Sequence, residues 1–401
     1  MTIKMKKKKN LELYVHIPFC MQKCGYCDFL SITGKEETKE AYTEAMIKEI
    51  ETYCELAEEY KVSTIFFGGG TPSVLSLESF EKICHVLYHA FDIAEDAELS
   101  IEVNPGTVSE EKLKKYQSLG FNRISFGLQS VHNEELKKLG RIHTYEDFIE
   151  SYEMARYAGF QNINIDLISA IPGQTLQSWI ETVKKAAEIG AEHLSVYSLI
   201  IEEGTPFFEK YGGKENLLAE KELPNEETER RMYIETRAIL SEYGYKQYEI
   251  SNYAKEGYIC RHNLGYWERE NYLGIGLGAA SLIDNVRSTN ISDMKRYCQN
   301  MKEYKAISPK CKAIEAQREI LTLSRQMEEF MFLGLRKVEG ISKNKFFSEF
   351  GKKIETIYGN CIEKLKTDRL LKEEGDNIAL TERGFDLNNY VSGEFLLEED
   401  N

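Results

Sequence analysis

Proline is scarce in this sequence, 7 among 401 residues, and no low-complexity tract interrupts it, which excludes a polyproline or disordered protein. With 42% hydrophobic residues the chain can bury a sizeable core, and its length fits one barrel-sized domain plus a small appendix. A basic excess is also missing. The formal net charge is −15, whereas a general nucleic-acid binder needs cations to neutralise phosphates, so no nucleic-acid partner is expected. No stretch approaches ~18 uninterrupted apolar residues, so no membrane-spanning helix is expected. The one basic run, Lys4 with Lys6 to Lys9, leads into Asn10 and a strand-like segment, with no apolar h-region and no cleavage site. It reads as a solvated tail over 1–10, with a peripheral touch on an anionic membrane surface left open at ~1 kcal/mol per lysine. A disulfide framework is absent too: nine cysteines, an odd number scattered through a chain without a signal peptide, point to reduced thiols and a cytoplasmic protein. Six of them, Cys54, Cys84, Cys260, Cys298, Cys311 and Cys361, read as ordinary buried or half-buried thiols, with Cys260 set slightly apart by its neighbours.

The other three, Cys20, Cys24 and Cys27, fall within eight residues of one another, directly after a short apolar run. Three thiolates can hold three irons of a cubane cluster and leave the fourth open, whereas a closed zinc site or an electron-transfer cluster wants four protein ligands. On spacing alone, a zinc knuckle completed by His16 and thiols that merely share a loop remain as alternatives.

From Leu11 the chain alternates short β-branched runs with amphipathic segments, the pattern of repeated βα units around a parallel sheet. Strands are expected at Leu11 to Ile17, Val62 to Phe67, Glu98 to Val103, Arg123 to Leu128, Ile163 to Ile168 and His193 to Leu199. Helices are expected at Glu37 to Glu58, Glu78 to Ala90, Glu110 to Leu119, Tyr145 to Ala158 and Leu176 to Ile189. In a βα barrel the chemistry sits at the carboxyl ends of the strands. The unusual residues collect there: the cysteine loop after the first, Gly68-Gly69-Gly70-Thr71-Pro72-Ser73 after the second, and Glu102-Val103-Asn104-Pro105-Gly106 after the third. Gly127-Leu128-Gln129-Ser130 follows the fourth, and Asp166 closes the fifth. Each alone is an ordinary turn or cap; five on one rim are not.

The CxxxCxxC pattern, with Tyr26 inside it and Phe29 just after, resembles the signature of the radical S-adenosylmethionine (SAM) superfamily. The resemblance implies a [4Fe-4S] cluster on Cys20, Cys24 and Cys27, SAM chelating the open iron, and reductive cleavage of SAM to a 5′-deoxyadenosyl radical. Gly69, Gly70 and Thr71 are similar to the loop that contacts the cofactor's amino group and carboxylate. Glu102, Gln129, Arg141 and Asp166 match SAM-binding positions of the coproporphyrinogen dehydrogenase branch, Tyr14 matches its tyrosine before the cluster loop, and Tyr26 is placed with them. Glu102 and Asp166 can accept from ribose hydroxyls or an ammonium, and Arg141 can pair with a carboxylate in a fork; the plainer reading of Arg141 is a surface arginine beside flexible Gly140.

Beyond Ile200 the repeat loses regularity: a charged connection over Glu215 to Glu229 leads into a helix from Glu226 to Tyr243. Farther on, His262-Asn263 with Tyr266-Trp267 resembles the HNxxYW motif of the HemW group of heme chaperones, which implies heme contact by His262, Tyr266 and Trp267. A satisfied polar corner beneath the barrel is the alternative for His262, and Cys260 is a second ligand only by its closeness in sequence. The small residues of Tyr272 to Ala280 suit tight backbone packing or approach to a flat ligand. From about Lys312, helices over Glu315 to Lys337, Lys343 to Phe350 and Ile354 to Lys366, then a turn between apolar runs over Leu370 to Gly384, resemble a winged helix.

The expected fold is therefore α/β, a partial (β/α)6 radical SAM barrel with a small C-terminal α+β winged-helix-like domain. Its expected divisions are a core at 11–225, an extension with the heme motif at 226–310, and a C-terminal HemW-like domain at 311–401. Phe29 stands where the dehydrogenases extend to a fourth cysteine, and the cluster loop starts only 20 residues from the first residue, leaving no room for their N-terminal extension. The resemblance thus implies a protein that binds heme and passes it to an acceptor such as a respiratory cytochrome, rather than the alternative, an oxygen-independent coproporphyrinogen III dehydrogenase. Whether SAM is cleaved in that function stays open.

Overall fold

The computed structural model describes residues 8–213, 216–304 and 313–397. The tail lysines up to Lys7, Lys214 and Glu215 of the connection, Cys311, Lys312 and the expected boundary between 310 and 311 lie outside the described residues.

Twelve strands form one sheet: β1 (Lys9–Ile17), β2 (Tyr60–Gly69), β3 (Ile93–Val103), β4 (Arg123–Gln129), β5 (Ile163–Ser169), β6 (His193–Ser198), β7 (Lys246–Gln247), β8 (Asn252–Ala254), β9 (Tyr272–Ile275), β10 (Ala280–Ile283), β11 (Val286–Asn290) and β12 (Glu315–Ile320), in the order β12-β11-β10-β9-β1-β2-β3-β4-β5-β6-β8-β7. β1 to β6 are consecutive and parallel, as the βα pattern predicts, and β9 extends them in parallel against β1. The chain thus folds as an α/β partial barrel with a separate C-terminal unit.

Alternation along the strands decides which residues meet. Leu11, Leu13, Val15 and Ile17 of β1, with Ile65 and Phe67 of β2 and Ile101 and Val103 of β3, join the main apolar core. The intervening residues lie in register across the strands: Glu12 opposite Thr64 and Thr64 opposite Glu98, Phe66 opposite Ser100 and Ser100 opposite Arg123. Glu102 likewise lies opposite Ser125, Ser125 opposite Asn164 and Asn164 opposite His193. A parallel strand places alternate residues on opposite faces, so these rows share the inner face of the barrel.

Two expected helices differ. The helix expected over Glu37 to Glu58 runs Glu36–Glu51 and resumes only as Cys54–Ala57; between them the Thr52 hydroxyl bonds back to Glu49 O at 2.6 Å. The helix expected from Glu315 to Lys337 begins at Leu323 and ends at Gly334, because 315–320 pair with β11 as an edge strand. Five of the six β12 residues are exposed, so no period of burial betrays the strand. The small residues of Tyr272 to Ala280 serve backbone packing: a Cβ at Gly276 would press on the Tyr42 hydroxyl, and Leu277 N–H donates to that hydroxyl at 2.9 Å.

The C-terminal unit has its own core, with Met331, Phe346, Ile354, Leu365 and Phe395 among its members, and a sheet ordered β13 (Ile341–Ser342), β15 (Asn377–Leu380), β14 (Leu371–Glu374). A polar seam joins it to the barrel. The Arg269 side chain, 2% exposed, donates to Glu329 at 3.2 Å, Glu349 at 2.8 Å and Asn285 at 3.0 Å, while Arg287 reaches the second oxygen of Glu329 at 2.6 Å. Among the described residues no helix is long and apolar enough to cross a membrane.

Removing one partner of a buried ion pair strands the other charge, at about 3–5 kcal/mol. Glu329→Ala leaves Arg269 only Glu349 and Asn285 and takes its ion pair from half-exposed Arg287, so it is expected to lower unfolding stability by about 1–3 kcal/mol in urea denaturation, and no measurable loss would contradict a buried seam of this kind.

Candidate functional site

The cysteine loop leaves the carboxyl end of β1 and is pinned from three sides. Cys20 N–H donates to Ile32 O at 2.9 Å, Gly25 N–H to Leu139 O at 3.2 Å, and Phe207 N–H to Gly25 O at 2.9 Å. A side chain at Gly25 would meet the Phe207 ring at 2.8 Å, so glycine permits that closure. Cys20, Cys24 and Cys27 are all half-buried and line one cleft. The Thr71 hydroxyl approaches Cys20 Sγ at 3.6 Å and Arg141 Nη1 approaches Cys24 Sγ at 3.7 Å. Burial pushes the Cys27 thiol up, with Cys24 and Cys20 adding to the rise.

A zinc knuckle finds no support. Both ring nitrogens of His16 are engaged, Nδ1 with the Tyr14 hydroxyl at 3.1 Å and Nε2 with Leu30 O at 2.9 Å. Among the described residues no three His, Cys, Asp or Glu side chains are grouped to hold one metal ion. Three thiols around a roomy cleft fit a larger group, the cubane cluster.

The cleft is floored by backbone. A Cβ at Gly70 would lie 2.7 Å from Phe19 O, and at Gly69, where φ is +108°, it would press 2.5 Å from the His16 ring. Gly69 N–H donates to Glu102 Oε2 at 3.2 Å. Asn104 ties the cleft together: its amide donates to Thr71 Oγ1 at 2.7 Å, and its carbonyl accepts from Arg141 Nη2 at 2.7 Å. Arg141 also donates to Gly127 O at 2.8 Å, so it is a cleft residue and not a surface arginine. Gln129, 8% exposed, holds a φ of +71°, a left-handed backbone that costs a non-glycine residue about 1–3 kcal/mol and persists where its surroundings demand it. Tyr26 lines the same cleft, its ring 6.3 Å from that of Phe207. Burial, then the neighbouring Asp166 charge, raises the Glu102 carboxyl to about 8; burial likewise raises Asp166, against hydrogen bonds from Asn164 and Ser125.

Tyr14 and His262 belong to a second cavity inside the barrel. Phe29, Gly69, Glu102, Ser125 and Asp166 line both cavities, so the two share a wall. His262, 1% exposed, lies between Phe66, stacked at 5.0 Å, and Tyr266, edge-on at 5.0 Å. Its Nδ1 bonds Thr64 Oγ1 at 2.7 Å, with Glu12 Oε2 3.9 Å away, and its Nε2 has no partner. Burial, and then Arg123, pulls the imidazole down to about 3, so it is neutral. The polar-corner alternative is thus half right: one nitrogen is satisfied and the other is not.

Two expectations need correction. Trp267 does not wall this cavity with Tyr266; it faces the seam, where the Arg336 guanidinium sits 4.2 Å over its ring and Phe330 and Lys337 line the same recess. In a helix spanning Arg261–Trp267, residues 262 and 266 share a face and 267 turns away. Cys260 is fully buried behind the motif, 3.5 Å from Glu98 Oε1, its thiol pushed up to about 12 by burial, and it does not line the cavity.

Sequence reasoning assigned no role to Asn104, Ser125, Asn164, Ser195 or Arg123, all of which line these cavities. The signal was their alternation with apolar neighbours, as in Glu98, Ser100, Glu102 and Asn104 around Leu99, Ile101 and Val103.

Residues 14–186 match the radical SAM superfamily and residues 321–387 the HemN C-terminal domain. The heme chaperone HemW of Lactococcus lactis is 38% identical over 397 residues, covering 99% of this chain and 100% of the relative. That of Bacillus subtilis is 37% identical over 388 residues, covering 96% and 99%. Among solved structures, coproporphyrinogen III oxidase (HemN) from Escherichia coli, a radical SAM enzyme, matches with a TM-score of 0.82 at 25% identity, covering 97% of this chain and 90% of that chain.

The raised Glu102 carboxyl has a thermodynamic consequence. The folded apoprotein keeps a proton there that the unfolded chain releases above its ordinary value near 4.5, so this group's contribution to stability falls as pH rises from about 5 through about 8. Glu102→Gln keeps an acceptor for Gly69 and removes the titration. Its stability relative to the parent apoprotein is expected to rise across that window and level off above it, by a few kcal/mol in all; a difference that stays flat in pH-resolved urea titrations would refute the shift.

Proposed function

The chain belongs to the HemW family of heme chaperones within the radical SAM superfamily, and from that premise we propose that it binds heme in the barrel cavity and hands it to an acceptor protein. Membership implies a [4Fe-4S] cluster and SAM. One observation supports the heme reading most: Nε2 of His262 is buried and partnerless, and its ring lines a cavity that shares a wall with the cysteine cleft.

Each residue then has a task. Cys20, Cys24 and Cys27 hold the cluster, while Gly69, Gly70 and Thr71 offer backbone and hydroxyl groups to SAM. Glu102, Gln129, Arg141 and Asp166 offer polar side chains, and Tyr14 and Tyr26 its flanking rings. Bound together, the cluster and SAM supply one-electron chemistry at the barrel mouth. In the tautomer that carries the proton on Nδ1, toward Thr64 Oγ1, His262 presents an Nε2 lone pair, the form in which histidine ligates iron. Phe66 and Tyr266 hold the ring in place from its face and its edge. Trp267 acts instead at the seam, joining the motif to the C-terminal unit. We divide the chain by role into a core at 11–225, an extension at 226–310 and a C-terminal domain at 311–401. We place the protein in the cytoplasm, with a respiratory cytochrome as the kind of acceptor it serves.

Anaerobically reconstituted protein is expected to bind one heme, and His262→Ala to lose it while retaining cluster iron; visible titration and iron analysis on one sample read both. Heme retained by His262→Ala would move the site elsewhere. The same preparation is expected to leave coproporphyrinogen III unchanged in the presence of SAM, and conversion to the divinyl product would make it a dehydrogenase. Cys24→Ala is expected to abolish the cluster absorbance, and an unchanged iron content would refute the cluster assignment.

A further inference from the structure

The inner cavity contains a cation that no carboxylate meets in a direct ion pair among the described residues. Arg123 enters it from the first position of β4, is 2% exposed, and lines it together with His262 and Asp166. Its Nε has no hydrogen-bond partner, and among the described residues its guanidinium forms no ion pair. Two carboxylates are near enough to act on it electrostatically, Glu98 and Asp166, but both are engaged elsewhere. Glu98 accepts from Arg261 N at 3.0 Å, His262 N at 3.2 Å and the Cys260 thiol at 3.5 Å. Asp166 accepts from the Ser125 hydroxyl at 3.0 Å and the Asn164 amide at 2.8 Å.

A buried guanidinium nitrogen without a hydrogen bond is rare, and a ligand that supplies one is favoured. A guanidinium is a planar fork that matches a carboxylate through two parallel bonds. We propose that Arg123 is the carboxylate-binding residue of the inner cavity and receives a propionate of the bound porphyrin, an inference that rests on the heme reading above. The lining of the two cavities selects the porphyrin over SAM. Arg123 lines the inner cavity with His262, level by register with Ser100, Phe66 and Tyr14, whereas the cysteine cleft has Arg141 as its guanidinium and does not include Arg123.

The test measures the affinity of the reconstituted full-length protein for iron protoporphyrin IX, for its dimethyl ester and for SAM, in the parent, Arg123→Gln and Arg123→Lys. Cluster absorbance per chain and the melting temperature check folding. The free acid is expected to bind the parent at least about tenfold tighter than the diester. Arg123→Gln is expected to erase that preference by weakening the acid alone, Arg123→Lys to keep part of it, and SAM affinity to stay unchanged. A parent that binds acid and diester equally overturns the proposal without any variant, as does a preference that survives in folded Arg123→Gln. A tenfold loss of SAM affinity with the porphyrin preference intact overturns the propionate assignment and gives the carboxylate to SAM. If the parent binds neither porphyrin, the heme reading fails and the propionate falls with it, while the SAM titration still decides whether Arg123 serves a carboxylate. If Arg123→Gln does not fold, the parent comparison and Arg123→Lys decide.

Discussion

A barrel interior is ordinarily filled by branched apolar side chains, and here every strand from β1 to β6 turns polar or charged residues inward instead. Buried polar groups are tolerated only when they bond to one another or to something else. Most of these do. Asp166, Ser125, Asn164 and His193 form one chain, with Asn164 Oδ1 2.5 Å from His193 Nδ1 and His193 Nε2 2.9 Å from the Tyr248 hydroxyl. Because the rows are polar they do not close into a packed core, and a cavity remains along the axis. Two of the partnerless atoms, Nε2 of His262 and Nε of Arg123, belong to residues that border that cavity, which is where a ligand can complete them.

The same rows link mouth to floor. Glu102 and Asp166 border the cysteine cleft and the inner cavity at once, so a group bound at one end changes the electrostatic setting of the other. The contact continues outward. Tyr248, bonded to His193 through its hydroxyl, accepts Val338 N–H of the C-terminal unit at 2.9 Å through its carbonyl, and Trp267 lies under Arg336 of that unit. The C-terminal unit is therefore fastened both to the barrel wall and to the helix that carries His262.

Much of this was readable in the residues. The cysteine spacing, the glycine triplet and the acidic strand ends gave the rim, since each is local in sequence and its chemistry does not depend on distant partners. The parallel order followed from the βα alternation. The floor was harder: Arg123 looks like any strand-initiating arginine until its register against Ser100 sets it inside the barrel. The split of His262 and Tyr266 from Trp267 could have been derived from helical spacing once a helix was assumed there. β12 could not, because its exposed edge pairing with β11 is a tertiary choice that leaves no periodic trace in its own residues.

The central proposal is that a heme iron meets His262 inside the barrel. Pulsed electron paramagnetic resonance of ferric heme in the full chain, carrying ¹⁵N-labelled histidine, tests that most directly. A directly coordinated ¹⁵N coupling that disappears in His262→Ala is the expected result. A spectrum without histidine nitrogen, or one unchanged by that substitution, would remove heme from the cavity and leave the partnerless Nε2 unexplained.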